Sequence, residues 1–338
     1  MKITAAQLLL GYCASILGVF AQASPSPRPV APLVRLGQIL FSDIRFSQDG
    51  KVSCGVCHHP DQAFTDAKPV AIGIEGLKGT RNTPSLRNAA YTAAKLWDGR
   101  RDGLAAQVLE PFVNPREHGL ATRDELVRRF RAAADYAPLF QNAFRRPLAH
   151  AAPEDIAQAL SAYVTALAPS DTRLSRYLYG RETAALNPAE QRGLELFRGR
   201  THCADCHSIG DQAAPLTDGQ YHSLALGFDR LAPQLAALIG KVAKASLEYR
   251  ERWIGEDPEV AALGRFVITL APVDIGAFKT PSLYAVTDTA PYMHDGSIPT
   301  LDEALDRELY YRGRDLGHPV VLSVTERADL LTFLKTLK

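Results

Sequence analysis

Cysteine, methionine and tryptophan are scarce in this chain of 338 residues, which has five, two and two of them. An excess of one charge sign is also lacking, because 38 Lys and Arg face 37 Asp and Glu. This balance argues against a nucleic-acid-binding protein, which would carry a basic excess. An acidic disordered tail is excluded as well, since 46% of the residues are hydrophobic. The length suits about two domains of ordinary size.

Long hydrophobic runs are missing except near the amino terminus, where residues 3–20 are almost wholly apolar. Lys2 precedes the run, and residues 21–23 (Ala-Gln-Ala) follow it as a small-residue cleavage site. This pattern predicts a secretory signal peptide over residues 1–23. We therefore expect an exported, periplasmic protein with no membrane segment after cleavage. An uncleaved membrane anchor is the alternative, because the run nearly spans a bilayer.

The few cysteines decide most of the interpretation. Once Cys13 leaves with the signal peptide, the other four fall in two Cys-x-x-Cys-His motifs, Cys54-Gly55-Val56-Cys57-His58 and Cys203-Ala204-Asp205-Cys206-His207. This pattern is typical of haem c attachment, because the two thiols form thioether bonds and the next imidazole binds iron. A zinc or redox interpretation would leave both histidines unexplained. Two covalently bound haem c groups are therefore expected, with His58 and His207 as proximal ligands.

The surroundings of the two motifs repeat along the chain. A Gly-x-x-Leu-Phe segment precedes each motif, and a Thr-Asp pair follows each one. Amphipathic helices are predicted over residues 153–167 and 325–337, where each closes one half. The sequence thus predicts a mainly α fold with two cytochrome c-type haem domains in tandem, over residues 24–175 and 176–338. Long ordered loops and few short strands are expected to complete it.

Four further segments carry a resemblance to a known family. They read Leu-Trp-Asp-Gly-Arg at 96–100, Glu-Pro-Phe-Val-Asn-Pro-Arg-Glu at 110–117, Gly-Ala-Phe-Lys-Thr-Pro-Ser-Leu at 276–283 and Ala-Pro-Tyr-Met-His-Asp-Gly at 290–296. With two haem motifs in this order, the chain resembles the bacterial dihaem cytochrome c peroxidase family, including its MauG-like branch, from about Leu36 to Leu337. The resemblance implies a peroxide-dependent oxidoreductase in which the first haem is peroxidatic and the second transfers electrons.

The resemblance assigns catalytic roles to three residues. Trp97 occupies the place of the tryptophan between the two haems, where an indole can bridge electron transfer. Glu117 matches the distal carboxylate that moves a proton between the two oxygens of bound peroxide. Gln107 and Pro111 match residues that line the same pocket. An ordinary core tryptophan is the alternative for Trp97, and without the resemblance Glu117 would be interpreted as a solvated loop glutamate.

A calcium site is also implied by the resemblance. Asn82 matches an asparagine ligand at the domain interface, and Thr289 and Pro291 match backbone carbonyl donors. Oxygen donors suit this hard cation, but one amide and two carbonyls supply little charge, so waters must complete the site. A loop-capping role is the alternative for Asn82. His294 matches a residue in contact with a haem propionate of the second domain.

One departure from the family pattern concerns the first haem. In the typical peroxidase a loop histidine caps this haem in the oxidised state and is displaced on reduction. Here the corresponding position is Ile74, in the segment Ala-Ile-Gly-Ile-Glu-Gly at 71–76. Isoleucine cannot bind iron. We therefore expect an open sixth position on the first haem in every redox state.

A second departure concerns the sixth ligand of the other haem, which is a methionine in the peroxidase branch and a tyrosine in the MauG-like branch. Tyr310 meets the tyrosine spacing to Gly313, although its count from His294 is two residues longer than usual. Tyr311 and Met293 are the other candidates for the sixth ligand. A packing role is the alternative for both tyrosines. An anionic oxygen ligand would lower the reduction potential, whereas a thioether would raise it.

The sequence thus predicts a periplasmic dihaem c-type peroxidase that reduces hydrogen peroxide at an open first haem. A small electron-transfer protein, a cytochrome c or a cupredoxin, is the expected donor; no nucleic-acid partner is expected, and homodimer formation is left open. A MauG-like oxidase that uses peroxide to oxidise residues of a partner protein is the first alternative. A non-catalytic dihaem electron carrier is the second. Glu117 and Gln107 argue against it, because a carrier gains nothing from a distal acid.

Overall fold

The computed structural model describes residues 30–87 and 89–338, so the predicted signal peptide lies outside the described residues. The helices of this part are α1 (Ala31–Ser42), α2 (Cys54–Cys57), α3 (Leu104–Gln107), α4 (Glu110–Val113), α5 (Arg123–Ala132), α6 (Ala137–Phe144), α7 (Pro153–Ala166), α8 (Arg173–Leu178), α9 (Pro188–Arg198), α10 (Phe228–Leu231), α11 (Leu235–Lys244), α12 (Leu247–Glu256), α13 (Pro258–Ala262), α14 (Phe266–Thr269), α15 (Leu301–Leu316) and α16 (Val324–Leu334). The strands are β1 (Ala94–Lys95), β2 (Arg101–Asp102), β3 (Tyr221–His222) and β4 (Phe278–Lys279). The predicted mainly α fold with few short strands is confirmed.

The first half is built on the crossing of α1 and α7. Leu36 of α1 and Ile156 of α7 are fully buried in the same hydrophobic cluster. The two helices meet at Gly37, where an added Cβ would overlap the carbonyl oxygen of Ala159, so glycine permits the close approach. Each buried side chain of this size stabilises the fold by about 1.5–3 kcal/mol. The helix predicted over residues 153–167 is confirmed as α7.

The second half repeats this crossing with α9 and α16. An added Cβ on Gly193 would overlap the carbonyl oxygen of Asp329, and the rings of Phe197 and Phe333 pack edge to face with centroids 5.2 Å apart. The helix predicted over residues 325–337 is present as α16. It ends short of the predicted limit, because the residues beyond it leave the helix to pair with a neighbouring loop. The repeat seen in the sequence is therefore a repeat of helix packing.

A third hydrophobic cluster, which the sequence analysis did not identify, is formed by residues 228–275. This helical insert leaves the second half after β3 and returns at β4, and the two strands pair antiparallel with Tyr221 opposite Lys279. The backbone carbonyl of Ile254 in the insert accepts a hydrogen bond from Thr80 Oγ1 in the first half. The insert is therefore anchored to both halves of the repeat.

The connection between the halves runs from α7 to α9. Leu174 of α8 and Leu186 are buried in the hydrophobic cluster of the second half. Leu174 falls just before the predicted boundary at residues 175 and 176 but packs with the second half, and the domain division stays a prediction. Within residues 30–87 and 89–338, no helix combines the length and the apolar character that crossing a bilayer requires.

Candidate functional site

The first Cys-x-x-Cys-His motif forms a single helical turn. Cys54 and Cys57 begin and end α2, and the backbone N–H of His58 donates to the Cys54 carbonyl at 2.9 Å. The imidazole Nδ1 of His58 lies 2.8 Å from the carbonyl oxygen of Phe64, which is turned inward by a left-handed backbone with φ of 60°. Burial lowers the pKa of His58 and keeps the ring neutral. With Nδ1–H donated to this carbonyl, the Nε2 lone pair is free for iron.

The second motif has the same local design. The backbone N–H of His207 donates to the Cys203 carbonyl at 2.9 Å, and its Nδ1 lies 3.0 Å from the carbonyl oxygen of Leu216. Leu216 again has a left-handed backbone, with φ of 56°. Burial lowers the pKa of His207, so this ring is neutral as well. Both motifs therefore present two thiols followed by a buried, neutral imidazole, which is the donor set that haem c needs.

The four cysteines carry free sulfurs and do not converge. Among the described residues, the one group of three or more metal-binding side chains is Cys206, Asp218 and His222, which contains a single cysteine. A shared zinc site would need sulfurs from both motifs. The structure therefore gives the zinc interpretation no support.

Both motifs border one cavity of about 1070 Å³. Its walls include Cys57 and His58 of the first motif and Cys203, Cys206 and His207 of the second. Pockets for ordinary small molecules reach about 300–1000 Å³, so this space suits bulky cofactors. The neutral imidazoles, the paired thiols and the cavity together fit two haem groups.

Three sequence-predicted residues lie on the wall of this cavity near the first motif, namely Gln107, Pro111 and Glu117. Oε1 of Glu117 accepts a hydrogen bond from Asn114 Nδ2 at 2.6 Å. Burial raises the pKa of Glu117, while the guanidinium of Arg100 and the hydrogen bond from Asn114 oppose the shift. Peroxide cleavage requires a group that can both take and release a proton, and a carboxyl group is suited to this role.

Ile74, which replaces the capping histidine of typical relatives, packs away from the cavity. Its side chain is buried, and its Cδ1 lies against the Cα of Gly119. Its backbone N–H donates to the Glu117 carbonyl at 3.0 Å. The loop around Ile74 is therefore fixed to the turn that carries Glu117.

His118, for which the sequence suggested no role, is a core residue. Its ring is buried against Phe112, with centroids 4.7 Å apart, and its Nδ1 lies 3.1 Å from the Phe46 carbonyl oxygen. Burial lowers the pKa of His118 to about 4, so the ring is neutral. It does not border the cavity and is placed to hold the turn, not to bind iron.

Trp97 borders the same cavity and is fixed between the two halves. Its indole Nε1–H donates to the carbonyl of Asn82 at 2.9 Å, and its own carbonyl accepts from the backbone N–H of Lys279 at 2.8 Å. One bond comes from the first half and the other from the second. Both halves therefore hold Trp97, and its role as a bridge between two haems stays a prediction.

The structure corrects the choice between the two tyrosines of α15. Tyr310 is 71% exposed and does not border the cavity. Successive helix residues point about 100° apart, and here Tyr311 is the one that faces the cavity. The guanidinium groups of Arg307 and Arg314 lie 5.1 and 4.7 Å from the Tyr311 ring centroid. Tyr310 is therefore not placed to bind iron, whereas Tyr311 and Met293 both border the cavity.

The residues predicted to hold calcium all border this cavity. Asn82, Thr289 and Pro291 all border it, although they are distant in sequence. The amide Nδ2 of Asn82 donates to the Lys68 carbonyl at 2.9 Å, which leaves Oδ1 as the available donor atom. A capping contact and an oxygen ligand are therefore compatible in one side chain.

His294 presents an unused hydrogen-bond donor. Its Nδ1 lies 3.1 Å from Arg81 Nη1, and its ring stacks on Phe278 with centroids 3.7 Å apart. Burial, followed by the charge of Arg81, lowers the pKa of His294 to about 3. Because the guanidinium donates to Nδ1, the proton of the neutral ring is on Nε2, a buried atom with no partner. An N–H in this position suits an acceptor in the cavity, such as a haem propionate.

Arg81 and Asn114 also border the cavity, but the sequence alone did not identify them. An internal repeat could have pointed to Arg81, because Thr-Pro-Ser-Leu occurs at 83–86 and again at 280–283. Both copies border the cavity. Asn114 lies within the segment that carries Glu117, but its contact depends on the shape of the turn.

The chain is similar to known proteins in sequence and in fold. The family described as di-haem cytochrome c peroxidase matches residues 31–183. The methylamine utilization protein MauG of Methylorubrum extorquens is 34% identical over 324 residues, which cover 93% of this chain and 80% of that protein. The cytochrome-c peroxidase IdrP2 of Denitromonas iodatirespirans is 30% identical, with 91% of this chain and 82% of that protein covered. A crystal structure of a MauG-like protein associated with microbial copper homeostasis has a TM-score of 0.72 and 31% identity, with 94% of this chain and 95% of that chain covered.

One assignment follows from the two haem c motifs on one cavity, from the helical repeat and from these relatives. Family membership implies haem c as the cofactor. The chain belongs to the di-haem cytochrome c peroxidase family, in its MauG-like branch, and is an oxidoreductase of the peroxidase type.

Proposed function

We propose that this enzyme is exported to the periplasm and reduces hydrogen peroxide at a haem on the first motif. Electrons reach this haem from a haem on the second motif through Trp97. The observation that carries the proposal is the position of Glu117 and Gln107 on the same cavity as His58. Ile74 packs away from that cavity, which supports an open iron face.

The chain's own residues account for the proton transfers. Hydrogen peroxide, two electrons and two protons give two molecules of water. When bound, the haem supplies the iron that holds peroxide and delivers the electrons. Glu117 as a carboxylate takes a proton from one peroxide oxygen and returns it to the departing oxygen, which leaves as water. The Gln107 amide borders the same space and can orient peroxide by hydrogen bonds.

The electron donor is proposed to be a small redox protein, a cytochrome c or a cupredoxin. It would reduce the second haem one electron at a time, and Trp97, which borders the same cavity as both motifs, would bridge the two haems. The two halves hold Trp97 by hydrogen bonds at both its indole and its carbonyl. A fixed bridge lowers the reorganisation that electron transfer requires.

A second candidate function is oxidation of residues on a partner protein, as in a MauG-like oxidase. The position of Tyr311 favours it, because a phenolate ligand on the second haem would stabilise oxidised iron. The two arginines beside the Tyr311 ring hold this ring by cation–π contacts. Oxidising equivalents could then be held long enough to reach a protein substrate.

A calcium ion is also proposed at Asn82, Thr289 and Pro291. Three oxygen donors with water would suit this cation. Titration of chelator-treated enzyme with Ca²⁺ should show one site, and Asn82→Ala should weaken binding because it removes an oxygen ligand. Equal Ca²⁺ affinities with and without the substitution would contradict this assignment.

The test of the main proposal is Glu117→Gln in the haem-loaded enzyme. The substitution keeps the shape and removes the proton acceptor, so the rate of reaction of the ferric enzyme with peroxide should fall about 100-fold or more. The control is Glu75→Gln, an exposed carboxylate in the neighbouring loop, which should leave the rate unchanged. An unchanged rate in Glu117→Gln would remove this residue from the reaction.

Turnover with reduced cytochrome c separates the candidate functions. Fast steady-state consumption of peroxide supports the peroxidase. Slow turnover with a persistent oxidised state of the enzyme supports oxidation of a partner protein. An enzyme that does not react with peroxide would be an electron carrier.

A further inference from the structure

We propose that Asn114 is a positioning residue for Glu117: its amide holds one carboxylate oxygen and leaves the other for proton transfer. The Asn114 Nδ2 atom lies 2.6 Å from Glu117 Oε1. This inference rests on the proposed function, because it assumes that Glu117 handles the protons of peroxide. It adds a residue that does not itself touch the reacting atoms.

The orientation of the Asn114 amide is determined by its second hydrogen bond. Its Oδ1 accepts from the backbone N–H of Arg116 at 2.9 Å. Since a backbone N–H can only donate, the amide oxygen must face it, and the NH₂ group must face Glu117. The contact is therefore a donation to a carboxylate, which is stronger than a hydrogen bond between neutral groups.

The turn that carries both residues is held by its backbone. The Asn114 carbonyl accepts from the N–H of Glu117 at 3.0 Å and from that of Gly119 at 2.9 Å. Gly119 has φ of 72°, a conformation that glycine adopts without strain. The Ile74 N–H donates to the Glu117 carbonyl from the neighbouring loop. The positions of Asn114 and Glu117 relative to each other are therefore fixed before peroxide arrives.

The charges around Glu117 determine what the loss of Asn114 would do. Burial raises the pKa of Glu117, and Arg100 and the Asn114 hydrogen bond oppose this shift, while Glu110 adds to it. The sulfurs of the first haem motif carry no charge once they are thioethers. Removing the Asn114 donor therefore favours the protonated form of Glu117, which cannot take a proton from peroxide.

The sharpest variant is Asn114→Asp. It keeps an oxygen that can accept from Arg116, but it replaces the donor with a second carboxylate oxygen against Glu117. Asn114→Ala removes both contacts and reports the structural role of the turn. Each variant would be measured as haem-loaded enzyme by stopped-flow mixing with peroxide, from mildly acidic to mildly alkaline pH. Haem content and the ferric spectrum show whether both haems are in place.

We expect Asn114→Asp to move the acid limb of the rate profile to higher pH by about one unit or more, because like charges raise a carboxyl pKa. On that limb the rate would fall about tenfold, and it would recover at alkaline pH. A uniform loss of rate at every pH, or an unmoved limb, would show that Asn114 only shapes the turn and would overturn the inference. If Asn114→Asp does not fold, the pH profile of Asn114→Ala carries the test: this variant also loses the donor to Glu117, so the limb should move upward, whereas loss of the contact to Arg116 alone would lower the rate equally at every pH.

Glu117→Gln distinguishes this inference from the proposed function. If that substitution leaves the rate unchanged, the proposed function of Glu117 is wrong. If it slows the reaction while Asn114→Asp leaves the pH profile unmoved, only the positioning role is wrong. When both substitutions are combined, Asn114→Asp should cause no further change, because the group that it positions is already gone.

Discussion

The indole of Trp97 donates a hydrogen bond to the backbone carbonyl of Asn82 across 2.9 Å. The N–H of Asn82 donates in turn to the carbonyl of His294 at 2.8 Å. Trp97 and Asn82 belong to the first half of the repeat, and His294 belongs to the second. The indole is therefore part of a backbone network that joins the halves, and its ring cannot turn without breaking that network.

Trp97→Phe should slow electron transfer between the haems and spare the reaction of peroxide with the first haem. Phenylalanine keeps much of the apolar volume but loses the N–H donor and the easily oxidised indole. Steady-state turnover should fall about tenfold or more, while the single-turnover rate of the ferric enzyme with peroxide changes less than about twofold. Trp253→Phe, in the helical insert and off the cavity wall, is the matched control. Equal losses in both measurements would contradict a bridging role.

Tyr311→Phe should alter the spectrum of the second haem, whereas Tyr310→Phe should not. Tyr311 borders the cavity, and Tyr310 is exposed on another face of the same helix. Ferric optical and electron paramagnetic resonance spectra would report the ligand directly. If neither substitution changes the spectra, Met293→Leu tests the remaining candidate. A spectral change in Tyr310→Phe alone would show that α15 is placed differently in the enzyme.

Gly37→Ala and Gly193→Ala should each destabilise the protein by about 1–3 kcal/mol or more. In both cases the added Cβ would overlap a backbone carbonyl of the crossing helix, which cannot move aside as a side chain can. Gly240→Ala on α11 is the control, because a Cβ there meets open space. That change should be neutral or stabilising by up to about 1 kcal/mol. Denaturant unfolding of the haem-loaded proteins would give the free energy of unfolding of each variant. Equal losses of this free energy at all three glycines would refute the packing argument.

Ile74→Ala should lower the free energy of unfolding by about 2–4 kcal/mol, because it leaves a cavity against the turn of Gly119. Ile74→Val removes one methylene and should cost about 0.5–1.5 kcal/mol. The peroxide rate should fall with the larger change, since the turn also carries Glu117. Thermal unfolding and stopped-flow rates on the same samples would check both effects. A stability equal to that of the unmodified protein would mean that Ile74 does not brace the turn.

The sequence alone was sufficient for features that depend on short spacing. Two cysteines one helical turn apart and a following histidine are a local geometry, and the structure forms it twice, at Cys54 and at Cys203, with both imidazoles tied to a loop carbonyl. The helix at the end of each half could be predicted for the same reason, because its hydrophobic residues repeat within a few helical turns. Glu117, Gln107 and Trp97 were found through motif resemblance, and the structure brings all three to one cavity.

Only the tertiary structure decided which way neighbouring side chains face. Tyr310 and Tyr311 are adjacent in sequence, but a rotation of about 100° per residue sends one to solvent and the other to the cavity. The packing of α15 on distant elements selects between them, and no spacing rule contains that information. The same holds for the burial of His118, whose Nδ1 meets the carbonyl oxygen of Phe46 from a distant part of the chain. Local spacing is set by covalent geometry, whereas orientation is set by contacts between residues far apart in the chain.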